Sequence, residues 1–579
     1  MRTSNFFVFI SNRGNIYLCA ITFLFVVVFF RLFQIQILNA SKYRALAREQ
    51  HWSKEEFPAK RGTIYTADGF PVAMSIAQSF LSINITPETS QNEIKKILYE
   101  FYDRKDIDQC FANAFQKFGQ SADVKRYRCE FAQPITIEQK NIILNATNNS
   151  RALSFNDKYT RVYPEKDMLS HVLGFLGKNN KGDQVAYYGL EQYYDGYLSG
   201  RDGLLVQEKD ASGKPILFGG VASYDGIDGS DLSLTIDRKK QFILEKHLKE
   251  SFERHNPKSA VGIILEPQTG KVLAMAKYPS FVPSDYREIE DQVTIRNDAI
   301  GGVYEPGSIL KALTMSVAID LGKVKPEDTY NDTGPKIFSD YTVDNWDGKH
   351  HGVIDMTRVL QLSNNLGIAW VGKQAGDAQL IEYFKQYGMN KFTGIDLGGE
   401  EKGLMNDNLP LRDIELANLS FGQGISVTPI QMAMAFTAIA NNGTMMKPYI
   451  VSKIKSSDKE QIINPQPIAK PISAQTASIM VDMLTQTVSG GEAKFFVSKK
   501  YMIAGKTGTA QVPVKGGYSP DRTNATFVGF LPKYKNFVML IKLEEPTSPS
   551  GYAAETAVPT WMAIADELAG LDGLLPDRQ

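Results

Sequence analysis

The feature that most constrains the fold of this chain is an uncharged apolar run near its N-terminus, Ile16–Phe30. Arg31 interrupts the run, and a more amphipathic stretch continues to Leu38. Residues 16–38 have about the 20 residues that an α-helix needs to cross a bilayer, and Arg31 can extend its charge to the interface. We therefore predict a transmembrane signal anchor. A cleaved signal peptide is the alternative, but no A-x-A-like cleavage site follows the run.

The anchor divides the chain unequally, because about 15 residues precede it and more than 500 follow it. The working part is therefore expected after the helix. Lys and Arg residues flank the helix on both sides, so the positive-inside rule does not fix its orientation. Over all 579 residues, 64 Lys and Arg balance 64 Asp and Glu. Nucleic-acid binding usually needs a basic surplus, and we expect no nucleic acid as a partner.

The chain has three cysteines, Cys19, Cys110 and Cys129. They are too few for a disulfide scaffold, and none lies in the C-x-x-C spacing of a zinc site. Cys110 and Cys129 can pair if they face an oxidising compartment, or they can remain two thiols. The sequence leaves both possibilities open.

Two regions follow the anchor. Residues 39–230 have fragmented mixed structure, with an Asp-Gly hairpin turn at residues 68–69 and helical spacing over residues 93–118. A boundary is predicted near Asp231, before a short strand and an N-cap at Asp237. The region 231–579 is predicted to be α+β, with helices packed on one antiparallel sheet. Its predicted elements are a hairpin over 260–276, helices over 310–321, 429–441 and 558–568, and strands over 526–530 and 537–543.

The first motif that indicates chemistry is Glu305–Lys311, which contains Ser308. Pro306 and Gly307 start a predicted helix at Ser308, and Lys311 lies one turn further on the same face. A neutral lysine there can take the proton of the serine hydroxyl and activate it as a nucleophile. Alone, the pattern fits an ordinary cap serine. Two similar Ser-x-x-Lys patterns, which we interpret as surface coincidences, start at Ser452 and Ser456.

Two further motifs follow in the chain. Ser363-Asn364-Asn365 offers a hydroxyl and amides that can relay a proton and hold a substrate amide. Lys506-Thr507-Gly508-Thr509 offers a cation and hydroxyls for a carboxylate, and its glycine allows close approach to the backbone. Taken alone, Ser363-Asn364-Asn365 is explained equally well by a simple turn. Lys506-Thr507-Gly508-Thr509 is explained by a lysine that forms a salt bridge at the end of a strand.

Order and spacing give the three motifs their weight. Ser308 and Ser363 are 55 residues apart, and Ser363 and Lys506 are 143 apart. Ser-x-x-Lys, Ser-x-Asn and Lys-Thr-Gly occur together in β-lactamases and penicillin-binding proteins. On these residues the sequence resembles class B penicillin-binding proteins, the monofunctional D,D-transpeptidases of the bacterial cell wall. Further landmarks of the resemblance are Arg61–Ile64 with Asp68-Gly69, Arg161–Pro164, Gly189–Glu191, Tyr278–Phe281, Arg296-Asn297, Tyr304–Ser308 and Phe421–Gly424.

The resemblance implies a multidomain α+β architecture. Residues 1–15 would form a short cytoplasmic N-terminus, residues 16–38 the anchor, and residues 39–230 an elongated β-rich pedestal of the dimerisation type. Residues 231–579 would form the penicillin-binding transpeptidase domain, an antiparallel sheet with helices similar to serine β-lactamases. The resemblance extends to about residue 565, close to the end of the given sequence, so C-terminal peptidoglycan-binding repeats are not expected.

The resemblance also implies roles. Ser308 would attack the penultimate D-Ala carbonyl of a stem peptide, and an amine from a neighbouring stem would resolve the acyl-enzyme. β-Lactams would acylate the same serine, and no cofactor or metal is expected. The implied catalytic residues are Ser308, Lys311, Ser363 and Asn365, and the implied substrate-binding residues are Lys506, Thr507, Gly508 and Thr509. The backbone N–H groups of Ser308 and Thr509 would form the oxyanion hole.

The implied location is the bacterial inner membrane, in a single pass, with the catalytic domain outside the cytoplasm. The motif Tyr304–Ser308 and the modest length resemble the septal, cell-division type. Implied partners are peptidoglycan stem peptides, β-lactams, a polytopic lipid-II glycosyltransferase and other division proteins. The alternatives are an elongation-type transpeptidase, a D,D-carboxypeptidase or β-lactamase that delivers water, a penicillin-sensing receptor, and a structural division scaffold.

Overall fold

The computed structural model describes residues 13–578 except 90, 121–123, 148–149, 151, 180–183, 211–215, 217–219, 290 and 339–340. Most of the predicted short N-terminus, residues 1–12, lies outside the described residues. The described α-helices are, in chain order, α1 (Arg13–Phe33), α2 (Ala40–His51), α3 (Gln91–Leu98), α4 (Arg104–Gln120), α5 (Ile137–Ala146), α6 (Ser170–Leu173), α7 (Gly189–Tyr193), α8 (Asp195–Leu198), α9 (Arg238–His255), α10 (Gln292–Ile295), α11 (Asp298–Gly301), α12 (Lys311–Asp320), α13 (Met356–Gln361), α14 (Asn365–Ala375), α15 (Asp377–Gln386), α16 (Asp413–Phe421), α17 (Pro429–Ala440), α18 (Ala474–Gly490) and α19 (Ala557–Leu571).

The strands follow the same chain order. They are β1 (Trp52–Phe57), β2 (Ile64–Tyr65), β3 (Pro71–Ile85), β4 (Tyr127–Ile135), β5 (Leu153–Val162), β6 (Phe175–Lys178), β7 (Gln184–Tyr187), β8 (Gly203–Glu208), β9 (Val221–Tyr224), β10 (Asp231–Leu234), β11 (Ser259–Leu265), β12 (Val272–Tyr278), β13 (Thr329–Asp332), β14 (Lys336–Phe338), β15 (Tyr341–Val343), β16 (Gly352–Asp355), β17 (Leu404–Met405), β18 (Ile425–Ser426), β19 (Met445–Met446), β20 (Val451–Lys455), β21 (Glu460–Ile462), β22 (Pro467–Ala469), β23 (Ala504–Val514), β24 (Gly517–Phe530) and β25 (Val538–Glu544). Tighter 3₁₀ turns cover Pro283–Glu288, Gly307–Ile309 and Glu492–Phe495, and a π-helical turn covers Gln34–Leu38.

The described part of the chain divides into two compact units, and the first contains the described residues up to Lys60 and those between Gly200 and Asp228. In it, α1 continues through the π-helical turn, so that Gly14–Leu38 forms one apolar stretch of 25 residues. At 1.5 Å per residue it is about 37 Å long, and among the described residues it alone has the length and composition to cross a membrane. The predicted apolar helix is therefore confirmed. In the same unit, β8 pairs with β1 and β9 in an antiparallel sheet.

The second unit contains residues 61–199 and 229–579. One of its sheets has the order β21-β20-β10-β2-β3-β4, with β5 also paired to β3. The predicted Asp-Gly turn connects β2 to β3, and the predicted helical region 93–118 forms α3 and α4. A disulfide joins Cys110 of α4 to Cys129 of β4, which resolves the pairing that the sequence left open. The predicted domain boundaries remain predictions.

A second sheet of this unit is antiparallel throughout, with the order β12-β11-β25-β24-β23. Both of its faces are apolar: Val261 and Ile263 of β11 face one core, whereas Ala260 and Ile264 face another. Because side chains alternate along a strand, a sheet covered on both faces needs strands that are apolar at consecutive positions. Helices α9 and α19 contribute to one core, and α12, α17 and α18 contribute to the other. The prediction of helices packed on one antiparallel sheet is confirmed.

A buried ionic cluster connects distant segments of the second unit. Glu191 is fully buried, and its carboxylate accepts from Arg61 Nε and Arg161 Nε, each at 2.7 Å. Arg161 Nη1 also donates to the carbonyl of Gly62 at 2.6 Å. A second carboxylate, Asp195, reaches Arg61 at 2.6 Å, but half of its side chain is exposed. The cluster therefore holds the chain before β2, the end of β5 and the helix α7 together.

We expect Glu191→Gln to lower the free energy of unfolding by about 3–5 kcal/mol, because it leaves two arginines without a buried counter-ion. Asp195→Asn removes a charge from the same cluster at an exposed position, and its expected cost is below about 1 kcal/mol. Urea unfolding followed by tryptophan fluorescence measures both. Equal costs for the two variants would contradict this account.

Candidate active site

Three segments that are far apart in sequence meet at one cavity of about 910 Å³. Ser308 lies on the 3₁₀ turn before α12, Ser363 lies between α13 and α14, and Asn365 begins α14. Thr509 lies on the edge strand β23. All four residues line the cavity, so the structure brings together members of each predicted motif. A cavity of this size is in the range of small-molecule and peptide sites.

Two lysines lie buried beside these residues. Lys311 Nζ is 2.6 Å from the carbonyl oxygen of Ser363, 3.3 Å from its Oγ, and 2.6 Å from Asn365 Oδ1. Lys506 Nζ is 3.1 Å from the same Ser363 Oγ. The exposed fractions of the two lysines are 0% and 1%. The Ser363 hydroxyl therefore lies between two amines, one from each of the other two motifs.

Burial changes the acid–base properties of both amines. It lowers the pKa of Lys311 well below its ordinary value, and the charge of Lys506 lowers that pKa further. Burial also lowers the pKa of Lys506. A neutral amine can accept a proton, whereas an ammonium group can only donate. The environment thus favours the form of Lys311 that a general base requires.

Gly508 allows the strand β23 to approach the turn that carries Ser308. A Cβ atom at this position would lie 2.9 Å from Ile309 Cγ2 and 3.1 Å from the carbonyl oxygen of Pro306. Both distances are shorter than an ordinary van der Waals contact. The sequence suggested that this glycine lets a ligand approach, and the structure shows that the nearest neighbours belong to the Ser308 turn.

The two threonines of the third motif face different surroundings. Thr509 is half-buried, lines the cavity, and its Oγ1 accepts from the N–H of Ala553 at 3.1 Å. Thr507 is buried, and its Oγ1 donates to Glu492 at 3.0 Å. Thr509 is therefore the threonine that meets the cavity directly. The predicted carboxylate-binding roles of both threonines remain predictions.

The second motif is held by polar groups behind it. Asn364 caps α14 by accepting from the N–H of Gly367 at 2.7 Å, and its Nδ2 donates to Asp332 at 2.7 Å. The same Asp332 oxygen accepts from Asn345 Nδ2 at 2.9 Å. Asn345 in turn accepts from the backbone N–H of Asn365 at 3.1 Å. These bonds fix the backbone on both sides of Asn364, next to Ser363, which has a φ of +51°.

Several site residues were missed by the sequence analysis. Glu492 and Asp332 act through partners that are distant in sequence, so no local spacing pointed to them. Trp346 and Tyr552 line the cavity with ring centroids 5.9 Å apart. Of these residues, Trp346 could have been recognised from the sequence as a candidate binding residue, because tryptophan is enriched at interfaces and Trp346 lies in a polar loop.

Comparison with known proteins identifies the family. The family model described as "Penicillin binding protein transpeptidase domain" matches residues 260–564, and the model described as "Penicillin-binding Protein dimerisation domain" matches residues 56–234. The first match alone covers more than half of the chain. This protein belongs to the class B penicillin-binding proteins.

Individual relatives agree with this assignment. The Stage V sporulation protein D of Bacillus subtilis is 30% identical over 572 residues, which cover 96% of this chain and 85% of the relative. The peptidoglycan D,D-transpeptidase FtsI of Buchnera aphidicola is 26% identical, covering 96% of this chain and 94% of the relative. The crystal structure of Penicillin Binding Protein 2X from Streptococcus thermophilus has the same fold, with a TM-score of 0.76 at 23% identity over 90% of this chain and 81% of that chain.

The packing at Gly508 leads to a test of the site geometry. Gly508→Ala should displace the Ser308 turn and slow acylation by a fluorescent penicillin at least about tenfold, because small misplacements of reacting groups are costly. Gly570→Ala in α19 is the matched control, since a Cβ there meets nothing within 4 Å. Acylation rates are measured by gel fluorescence. An unchanged rate in Gly508→Ala would contradict the conclusion that this glycine is needed to position the Ser308 turn.

Proposed function

We propose that this protein is a serine-type peptidoglycan D,D-transpeptidase that cross-links stem peptides at the division septum. The observation that carries the proposal is the buried lysine pair around Ser363, next to a cavity that Ser308 lines. Membership of a transpeptidase family supports the same chemistry. The cavity has room for the end of a stem peptide together with an acceptor amine.

In the proposed first step, Ser308 Oγ attacks the penultimate D-Ala carbonyl and its proton passes to Lys311. The tetrahedral intermediate collapses, the peptide bond breaks, and the amide nitrogen takes the proton that Ser308 gave up, so that the terminal D-Ala leaves as a neutral amine. Ser363 relays protons between the lysines and the leaving group, while Asn365 orients the substrate amide. Lys506, with the Lys-Thr-Gly-Thr segment around it, binds the terminal carboxylate.

In the second step, the amine of a neighbouring stem peptide attacks the acyl-enzyme carbonyl. A new amide bond forms, the ester bond to Ser308 breaks, and the serine recovers its proton. A β-lactam resembles the D-Ala-D-Ala end and acylates the same serine, but its acyl group stays tethered in the cavity. A carboxypeptidase would deliver water at this step instead of an amine.

The septal assignment is supported by the motif Tyr304–Ser308 and by the name of the FtsI relative. The proposed location is the bacterial inner membrane, with Gly14–Leu38 crossing it once and the catalytic residues outside the cytoplasm. The proposed protein partners are a polytopic lipid-II glycosyltransferase and other division proteins. The disulfide between Cys110 and Cys129 supports an extracytoplasmic location, because such bonds are rare in a reducing cytoplasm.

The nucleophile assignment can be tested by substitution. Ser308→Ala should abolish covalent labelling by penicillin, and mass spectrometry of the wild-type protein should find the adduct on the peptide that contains Ser308. Ser452→Ala and Ser456→Ala, which remove the serines of the other Ser-x-x-Lys patterns, should label normally.

A second assay distinguishes the transpeptidase from the alternative functions. The release of D-Ala should depend on an added amine acceptor. Full-rate hydrolysis without an acceptor would favour a carboxypeptidase, and complementation of a depletion strain by Ser308→Ala would favour a scaffold.

The proposed topology can be tested through the cysteines. In intact cells, Cys110 and Cys129 should resist alkylation until a reductant is added, whereas Cys19 in the apolar helix should show no such dependence. Differential alkylation followed by peptide mass spectrometry measures all three residues in one sample. Free Cys110 and Cys129 thiols in non-reduced cells would contradict the extracytoplasmic placement.

A further inference from the structure

A carboxylate that the sequence motifs did not indicate lies beside the two site lysines. Glu492 follows Gly491 at the end of α18 and begins the 3₁₀ turn Glu492–Phe495. It is half-buried and lines the same cavity as Ser308. Its Oε2 accepts from Thr507 Oγ1 at 3.0 Å. Glu492 therefore contacts the Lys-Thr-Gly strand directly.

The direction of this bond fixes the bonds of Lys506. The Thr507 hydroxyl has one hydrogen, and Glu492 receives it, so Thr507 Oγ1 can only accept from Lys506 Nζ, which lies 3.2 Å away. Lys506 Nζ is also within reach of the Thr507 carbonyl at 3.2 Å and Ser363 Oγ at 3.1 Å. An ammonium group has three hydrogens, and three acceptors surround this one.

Lys311 also has two partners that can only accept and shares Ser363 Oγ with Lys506. Its two shortest contacts, each 2.6 Å, are to the Ser363 carbonyl and Asn365 Oδ1, which can only accept. These two acceptors use the two hydrogens of a neutral amine. The lone pair is then free for the hydrogen of Ser363 Oγ, which is 3.3 Å away. The hydrogen-bond count therefore requires one charged and one neutral lysine, and the link through Thr507 Oγ1 to the Glu492 carboxylate distinguishes Lys506 as the charged one.

We propose that Glu492 is a positioning residue: it is the counter-ion of Lys506, and through the Thr507 hydroxyl it makes Lys506, and not Lys311, the lysine that holds the proton in the free enzyme. This inference rests on the proposed transpeptidase function and adds a residue to it. One carboxylate balances one ammonium group, so that Lys311 remains available as the base. The positive charge of Lys506, buried behind the cavity, then attracts the carboxylate of a substrate.

Other charged residues line the cavity, but they have partners of their own or lie on other segments. Arg412 and Glu415 form an ion pair at 2.9 Å, and the carboxylate of Asp344 lies 4.0 Å from His350 Nδ1. The remaining charged residue of the lining is Asp521. Among the described residues, Glu492 is the carboxylate that raises the pKa of both Lys311 and Lys506, against the lowering by burial.

The pH dependence of acylation follows with a definite sign. Acylation requires a neutral Lys311, which sets the acid limb of the profile, and a charged Lys506, which sets the alkaline limb. Because Glu492 raises the pKa of both lysines, Glu492→Gln lowers both. We expect both limbs to move to lower pH by about one pH unit, because removing a nearby negative charge disfavours the charged form of each amine.

The experiment uses the full-length protein in detergent and measures its second-order rate of acylation by a fluorescent penicillin across about pH 5 to 10. Glu492→Asp keeps the charge and should return both limbs toward their wild-type positions. Glu415→Gln removes a carboxylate from the same cavity, at a residue with its own arginine partner, and should leave both limbs in place.

Three results would overturn the proposal. The first is a Glu492→Gln profile that is lower in amplitude with unmoved limbs, as a merely structural residue would give. The second is a shift of the acid limb alone, which would mean that Lys506 is not the partner. The third result is obtained with a different variant, which is needed if Glu492→Gln does not fold. In that case Thr507→Val, which cuts the link to Lys506, must move the alkaline limb to lower pH, and an unmoved limb counts against the proposal. Wild-type labelling at Ser308 reports separately on the proposed function.

Discussion

Lys311 and Lys506 approach the hydroxyl of Ser363 from different segments of the chain, and both amines are removed from water. Burying an ammonium group costs several kcal/mol unless hydrogen bonds and an opposite charge compensate it. The surroundings are arranged to meet that cost. Each amine has acceptors within 3.3 Å, and the Thr507 hydroxyl links Lys506 to the carboxylate of Glu492. The sheet, the helices and the hydrogen bonds among Asn364, Asn345 and Asp332 hold these groups in position.

Much of the architecture could be predicted from the sequence because it depends on local patterns. The hairpin of β11 and β12 follows from two apolar runs around a Pro-Gln-Thr-Gly turn, and the predicted N-cap at Asp237 accepts from the N–H groups of Lys239 and Lys240. The apolar run near the N-terminus has the length and composition that a membrane-spanning helix requires. The three motifs, each a short, contiguous string with a chemical reason for its spacing, indicated residues that the structure brings together at one cavity.

The remainder depends on contacts between distant segments, which no local pattern records. Asp332 supports the second motif from β13, and nothing in the strand around it marks that role. Glu492 sits 15 positions from the threonine it contacts, and its neighbours resemble an ordinary helix end. A glycine in a strand indicates that another group approaches its backbone closely, but not which group. At Gly508 the atoms nearest to an added Cβ belong to Ile309 and Pro306. Tertiary packing decides these cases.

The short strand β10 has a mechanical consequence. It pairs in parallel with β2 on one edge and antiparallel with β20 on the other. The strands β2 and β20 lie in the stretches that the dimerisation and transpeptidase family models match. The strand β10 therefore connects the segments that the two family models match, and β2 cannot separate from the strand beside β20 without breaking backbone hydrogen bonds.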